Sequence, residues 1–222
     1  MSSREVCEFT YKGISFSVIQ GNIIDENVDV GVSPSNEGLS PGPGVAGAIF
    51  TKGGYEIANQ CKEYIENNRR ISTTTVVKTG AGALPWKAIL HAVGPVYRTG
   101  NHWEEKSLEK TILNCFLEAG KINACSMALP AISAGNFGFP KKLCARITIK
   151  TAKNWADECD QRRNTLKVVR FIGLHFDIVH LLESELQEFR SNPSDYGKSD
   201  TNKFDGIKND EQSYRTKCCE IF

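Results

Sequence analysis

The strongest constraint on this chain is a pair of glycine-rich loops, each placed where a strand hands over to a helix. The first reads Asn36-Glu-Gly-Leu-Ser-Pro-Gly-Pro-Gly-Val-Ala-Gly47 and the second Pro130-Ala-Ile-Ser-Ala-Gly-Asn-Phe-Gly-Phe-Pro140. Glycine lets a backbone approach a ligand closely and adopt positive φ. A helix N-terminus adds unpaired N–H groups and a partial positive charge. Together these bind phosphate without needing Lys or Arg. Two such loops in one small domain imply a diphosphate held from two sides, and so a nucleotide-like ligand.

The rest of the pattern supplies a scaffold for the loops. Alternating apolar residues predict strands over Glu8–Tyr11 and Ile14–Gln20, joined by Lys12-Gly13. Further strands are predicted at Asp29–Val32, Thr73–Lys78, Ile89–Val93, Ser126–Ala131 and Val168–Leu174. Helical periodicity marks Val45–Phe50, Tyr55–Asn67, Glu104–Lys121, Lys141–Cys159 and Ile178–Phe189. Such alternation predicts α/β layering, in which ligands bind beyond the C-terminal ends of the strands. From Ser191 onward the composition turns to Asn, Ser, Asp, Lys and Gly, so 191–222 is expected to be a disordered tail after a domain at 1–190.

Composition narrows the function classes. The net charge of +1 over 222 residues offers no field to recruit DNA or RNA. The tight basic pairs Arg69-Arg70, Lys141-Lys142 and Arg162-Arg163 read as solvated faces. No apolar run is long enough for a membrane helix, and Met1-Ser-Ser-Arg-Glu lacks a signal peptide's apolar stretch. A cytoplasmic or nuclear location is therefore expected. Of the eight cysteines, none shows C-x-x-C spacing, so no metal site is expected, and Cys7, Cys61, Cys115, Cys125, Cys144 and Cys159 read as reduced, buried hydrophobes. His91, in a short apolar strand, reads as a core residue rather than a base.

Gly42-Pro-Gly44-Val-Ala-Gly47 matches G-x-G-x-x-G, the dinucleotide-binding fingerprint. That fingerprint needs its first glycine at a strand end, whereas Gly42 follows Val32 by about nine residues, too far for the tight Rossmann turn. No G-x-x-x-x-G-K-[ST] is present either.

Four ordered segments instead resemble the macro domain family. Gly21-Asn-Ile-Ile-Asp-Glu-Asn-Val-Asp-Val-Gly-Val-Ser-Pro-Ser-Asn36 is similar to the family's opening motif, and Gly42–Ile49 to its G-G-G-V-x-x-A-I. Gly82-Ala-Leu-Pro85 with Ile89-Leu-His-Ala-Val-Gly-Pro95, and Leu129–Pro140, are similar to its next two. The resemblance runs from about residue 8 to 189 and implies a three-layer α/β/α sandwich around a mixed, mostly parallel sheet. It also implies a ligand, ADP-ribose, free or attached to proteins, and no cofactor.

By this resemblance Asn22 stands where an aspartate usually reads the adenine amino group, with Ile23 beside it against the base. Gly42, Gly44, Val45 and Ala46 would wrap the diphosphate and distal ribose, and Ser133, Ala134, Gly135, Asn136, Phe137 and Gly138 would form the other wall. Phe176 would pack against the adenosine end. The family divides into readers of ADP-ribose and hydrolases that remove it from proteins. The catalytic assignment rests on Asn36, holding the distal ribose and orienting water, and on Phe137, pinning that ribose. Ser33 at the motif's first asparagine, Ala46 at an aspartate position, and Pro41 and Pro43 in the loop depart from the hydrolase pattern. Pro43 also removes one phosphate-facing N–H. The readings kept open are a mono-ADP-ribosylhydrolase, an inactive reader, and a module for poly-ADP-ribose or RNA. DNA is not expected, and nothing in the sequence requires an oligomer.

The chain ends Cys218-Cys219-Glu-Ile-Phe222. This fits C-a-a-X at Cys219, with terminal Phe favouring geranylgeranyl and Cys218 open to a second acyl chain. Membrane association is expected only through that modification.

Overall fold

The computed structural model describes residues 3–68 and 70–197. One seven-stranded sheet carries the fold, in the order β1-β2-β7-β6-β3-β5-β4. Its strands are β1 (Arg4–Tyr11), β2 (Ile14–Gln20), β3 (Val30–Ser35), β4 (Val76–Thr79), β5 (Ala88–Val93), β6 (Ser126–Pro130) and β7 (Val168–Gly173). The inner strands β2, β7, β6, β3 and β5 run parallel, and the edge strands β1 and β4 run antiparallel to their neighbours. This is the expected mixed, mostly parallel sheet.

Helices cover both faces. α1 (Val45–Gly53) and α2 (Tyr55–Asn68) pack on one side, while α3 (His102–Lys121), α4 (Lys141–Glu158) and α5 (Phe176–Ser191) pack on the other. Each inner strand divides its side chains between two separate cores, as a period of two requires. In β5, Leu90 and Ala92 join the α3–α5 core, whereas Ile89 and Val93 join the α1–α2 core. In β7, Val169 and Phe171 face one way and Ile172 the other. Such double burial drives the layered arrangement, because each strand removes apolar area from water on both faces.

The connections create the crevice. β3 leads into α1 on one face of the sheet, and its neighbour β6 leads into α4 on the opposite face. Chain leaving two adjacent parallel strands toward opposite faces makes a switch point, where open α/β sheets bind ligands. β6 and β3 pair only at Val30–Met127 and Gly31–Ala128, so their C-terminal halves are not laddered to each other.

Two expectations change here. The packed body runs past residue 190: Tyr196 is buried and its hydroxyl donates to Glu185 Oε2 at 2.7 Å. The remainder of the expected tail, with Cys218 and Cys219, lies outside the described residues. Of the six cysteines read as buried, Cys61, Cys115, Cys144 and Cys159 are, but Cys7 is half-buried and Cys125 exposed. Cys7 lies on the edge strand β1, and Cys125 lies just before the central strand β6, at the end of the sheet opposite the loops that follow the strands.

Candidate functional site

Beyond the C-terminal ends of the parallel strands lies a cavity of about 800 Å³. That is within the size range of small-ligand pockets. Every inner strand contributes to it: Asn22 and Ile23 after β2, Pro34 and Ser35 at the end of β3 with residues from Asn36 to Ala46 after it, Gly94 after β5, Pro130 at the end of β6 with Ala131 to Phe137 after it, and Leu174 with His175 after β7. The two glycine-rich loops therefore face a single space, as expected from the sequence.

The first loop opens on a turn built by Asn36. Its Oδ1 accepts from Gly38 N at 3.0 Å and Ser40 N at 3.2 Å, and its Nδ2 donates to Ser40 Oγ at 2.8 Å. Asn36 thus keeps one N–H to offer the cavity, while its oxygen is committed to the turn. Leu39 anchors this turn, 1% exposed, at a φ of 49°. Next come Pro41 to Gly44, and Gly44 starts α1 with a φ of 75° and no side-chain cap. A Cβ on Gly42 or Gly44 would meet nothing within 4 Å, whereas one on Gly47 would come 2.6 Å from Gly42 O. Protein packing thus demands glycine only at Gly47. At Gly42 and Gly44 the space in front of the backbone belongs to the cavity.

The second loop is pinned more firmly. Ala134 N donates to Ala131 O, Gly138 N to Gly135 O and Phe139 N to Ser133 O. Tyr97 N donates to Phe137 O at 2.8 Å, and the Tyr97 ring meets buried Phe139 edge-on at 4.9 Å. Ser133 is buried at a φ of 68°, with an Oγ that has no partner. A Cβ on Gly94 would lie 2.3 Å from that Oγ, so the glycine after β5 lets the loop seat. α4 then begins at Lys141, also without a side-chain cap. Two uncapped helix N-termini, α1 and α4, therefore flank the cavity from opposite faces of the sheet. Each contributes unpaired N–H groups and a favourable field for an anion.

The cavity's ionisable lining is confined to Lys141, His175 and Asp177 among the described residues. Lys141 Nζ pairs with Asp177 Oδ2. That ammonium, aided by Ile178 N–H, holds the Asp177 carboxyl below the usual carboxylate range. None of these three, nor Ser40, was singled out from the sequence for the site. Lys141, His175 and Asp177 sit at the starts of α4 and α5, positions that pattern-reading assigns to capping, and Ser40 sits in the turn before α1.

Two predicted residues fall elsewhere. Gly138 does not line the cavity; at a φ of 72° it closes the second loop. Phe176 neither lines the cavity nor enters the core: it is 71% exposed and stacks on His180 at 5.7 Å. As the first residue of α5 it points outside, and Leu174, His175 and Asp177 take the lining positions around it. Ser33 is fully buried beneath the site, its Oγ without a partner. His91 is a core residue, as read: Thr79 Oγ1 donates to Gly80 O and so accepts from His91 Nε2 at 2.9 Å. Burial pushes that imidazole down to about 4.

A crevice at the switch point, closed by two glycine-rich loops in this order, is a particular arrangement, and the macro domain profile matches residues 32–148. The chain belongs to the macro domain family. It is 36% identical over 160 residues to a macro domain-containing protein of Listeria monocytogenes, covering 72% of this chain and 89% of that one. It is 39% identical over 138 residues to an O-acetyl-ADP-ribose deacetylase of Salmonella newport, covering 62% and 77%. A Thermotoga maritima relative, 35% identical over 178 residues, is much longer, and this macro domain spans 29% of it. Among solved structures, a substituted Oceanobacillus iheyensis macrodomain with ADPR superposes at a TM-score of 0.76, with 25% identity, over 86% of this chain and all (100%) of that one.

Proposed function

We propose that this macro domain binds ADP-ribose, free or attached to a protein. The observation that carries the reading is the opposition of two uncapped helix N-termini and their glycine-rich loops across one cavity of about 800 Å³. A diphosphate between them would accept backbone N–H groups from both sides. The base then belongs at the apolar end, where Ile23, Ile172, Leu174 and Ile178 converge, with Asn22 as the polar group at the rim. The distal ribose belongs at the other end, against Asn36 and Phe137. Calorimetric titration with ADP-ribose, AMP and NAD tests this: selective binding of ADP-ribose is expected, and equal affinity for AMP would contradict the two-sided diphosphate clamp.

Hydrolysis at the same site is the second reading, supported by the remaining Asn36 N–H and by the Salmonella relative named as a deacetylase. In this reading water attacks the anomeric carbon of the distal ribose, and the bond to an acidic side chain of the modified protein breaks. The carboxylate leaves as an anion, and the water's proton passes to the ligand's own diphosphate. Asn36 orients the ribose and water and takes no proton. Release of ADP-ribose from a protein modified on Glu or Asp is expected, lost in Asn36→Ala. Unchanged substrate with the protein in excess would leave a reader of ADP-ribosylation, for mono- or poly-ADP-ribose.

A further inference from the structure

The base end of the cavity carries a donor where an acceptor would be needed to hold an exocyclic amine. Asn22 caps the short 3-10 turn Ile23–Asp25, and its Oδ1 accepts from Ile24 N at 3.5 Å. A cap needs the oxygen, because a backbone N–H must be satisfied. That orientation turns the Nδ2 amide away from the turn, and among the described residues it has no protein partner. The acidic residue of the lining, Asp177, is already engaged. Asp177 Oδ1 accepts from Ile178 N at 2.8 Å and its Oδ2 pairs with Lys141. Asn22 and Lys141 thus offer N–H donors beside the apolar slot, while the Asn22 and Asp177 oxygens each already hold a donor within the protein.

A purine distinguishes itself at position 6. Adenine carries an amine there, which donates; hypoxanthine and guanine carry a carbonyl oxygen, which accepts. We infer that Asn22 makes this macro domain accept 6-oxopurine diphosphate-ribose ligands at least as well as ADP-ribose. The inference rests on the proposed ADP-ribose reading and on the base lying at the Ile23–Leu174 end. Asn22 Nδ2 donates to the 6-oxo group, whereas an adenine amine would have to share Asn22 Oδ1 with the Ile24 N–H.

The isosteric change Asn22→Asp tests this cleanly. One carboxylate oxygen keeps the cap on Ile24 N, and Asp is as good a cap as Asn. The other replaces the Nδ2 donor by an acceptor in the same place. Calorimetric affinities of ADP-ribose and of its hypoxanthine analogue are measured for the wild type, Asn22→Asp and Asn22→Ala. The wild type is expected to bind the hypoxanthine analogue as tightly as ADP-ribose or more so. Asn22→Asp is expected to shift the ratio toward ADP-ribose by about tenfold, the scale of one charge-assisted hydrogen bond. Asn22→Ala is expected to bring the two ligands close together. A wild type that prefers ADP-ribose by about tenfold or more, with a ratio unmoved in Asn22→Asp, would overturn the inference and leave the ADP-ribose reading standing. Failure of both ligands to bind the wild type would overturn that reading, and the inference with it.

Discussion

The two glycine-rich loops face the same cavity but are held in different ways. The second is tied into the body by Phe139, buried against Tyr97, by hydrogen bonds among Ala131, Ser133, Gly135 and their partners, and by Tyr97 N on Phe137 O. The first is anchored at its start by Leu39 and the Asn36 turn. Beyond that turn Pro41, Pro43 and Gly44 are exposed, and Gly42 and Gly44 have open space before them. One wall is therefore preformed, with strain stored at Ser133. The other relies on the stiffness of its two prolines for its shape. The difference teaches that a diphosphate clamp can be assembled from one packed jaw and one jaw held by backbone restriction.

The largest expected effect comes from removing the packed jaw's anchor. Phe139→Ala leaves a cavity beside Tyr97 and is expected to cost about 3–5 kcal/mol in urea denaturation, with ADP-ribose binding lost alongside. A loss under about 1 kcal/mol would mean that the second loop is held by its hydrogen bonds alone.

Acid is expected to act on the other side. His91 lies in the α1–α2 face, its ring 5.7 Å from that of Phe50 on α1. Its folded pKa of about 4 is below the ordinary 6.5, so the unfolded chain takes the proton first. The stability it contributes is complete above pH 6.5 and is lost as pH falls from there toward 4. By the shift its bound is about 3 kcal/mol. Denaturation at pH 7 and pH 4.5, compared with His91→Gln, should show the steeper loss in the wild type. Hydrogen exchange should place the loosening at α1 and α2 before α4. Equal loosening of both faces would break the comparison.

Smaller effects separate backbone need from ligand space within the first loop. Gly44→Ala forces a side chain onto a φ of 75° and is expected to cost about 1–3 kcal/mol. Gly42→Ala, with nothing within 4 Å of its Cβ, is expected to change stability by under about 0.5 kcal/mol. Both should weaken ADP-ribose binding, read by calorimetry. An unaltered affinity in Gly42→Ala would show that this loop does not close on the ligand.

Much of this was legible in the sequence because the signals were local. Period-two runs located the strands, and Leu108, Ile112 and Phe116 located α3. The loops announced themselves by glycine. What escaped depends on relative rotation of elements. Phe176 reads as a site aromatic by its place after β7, yet a helix's first residue turns outward or inward by about 100° per step, and here it turns out. Lys141 and Asp177 meet only because α4 and α5 begin at neighbouring strand ends, 36 residues apart in sequence. Asn36 lines the cavity, but its oxygen's commitment to Gly38 and Ser40 is a property of the folded turn that no local pattern shows.

The central claim is that both jaws grip one diphosphate. The direct measurement is titration of ADP-ribose into the wild type and into Gly135→Val and Gly42→Val, each of which adds bulk to open space on one jaw. The account predicts one site per chain in the wild type and a loss of affinity in both variants while their thermal unfolding stays near the wild type. Wild-type affinity in either variant would contradict it.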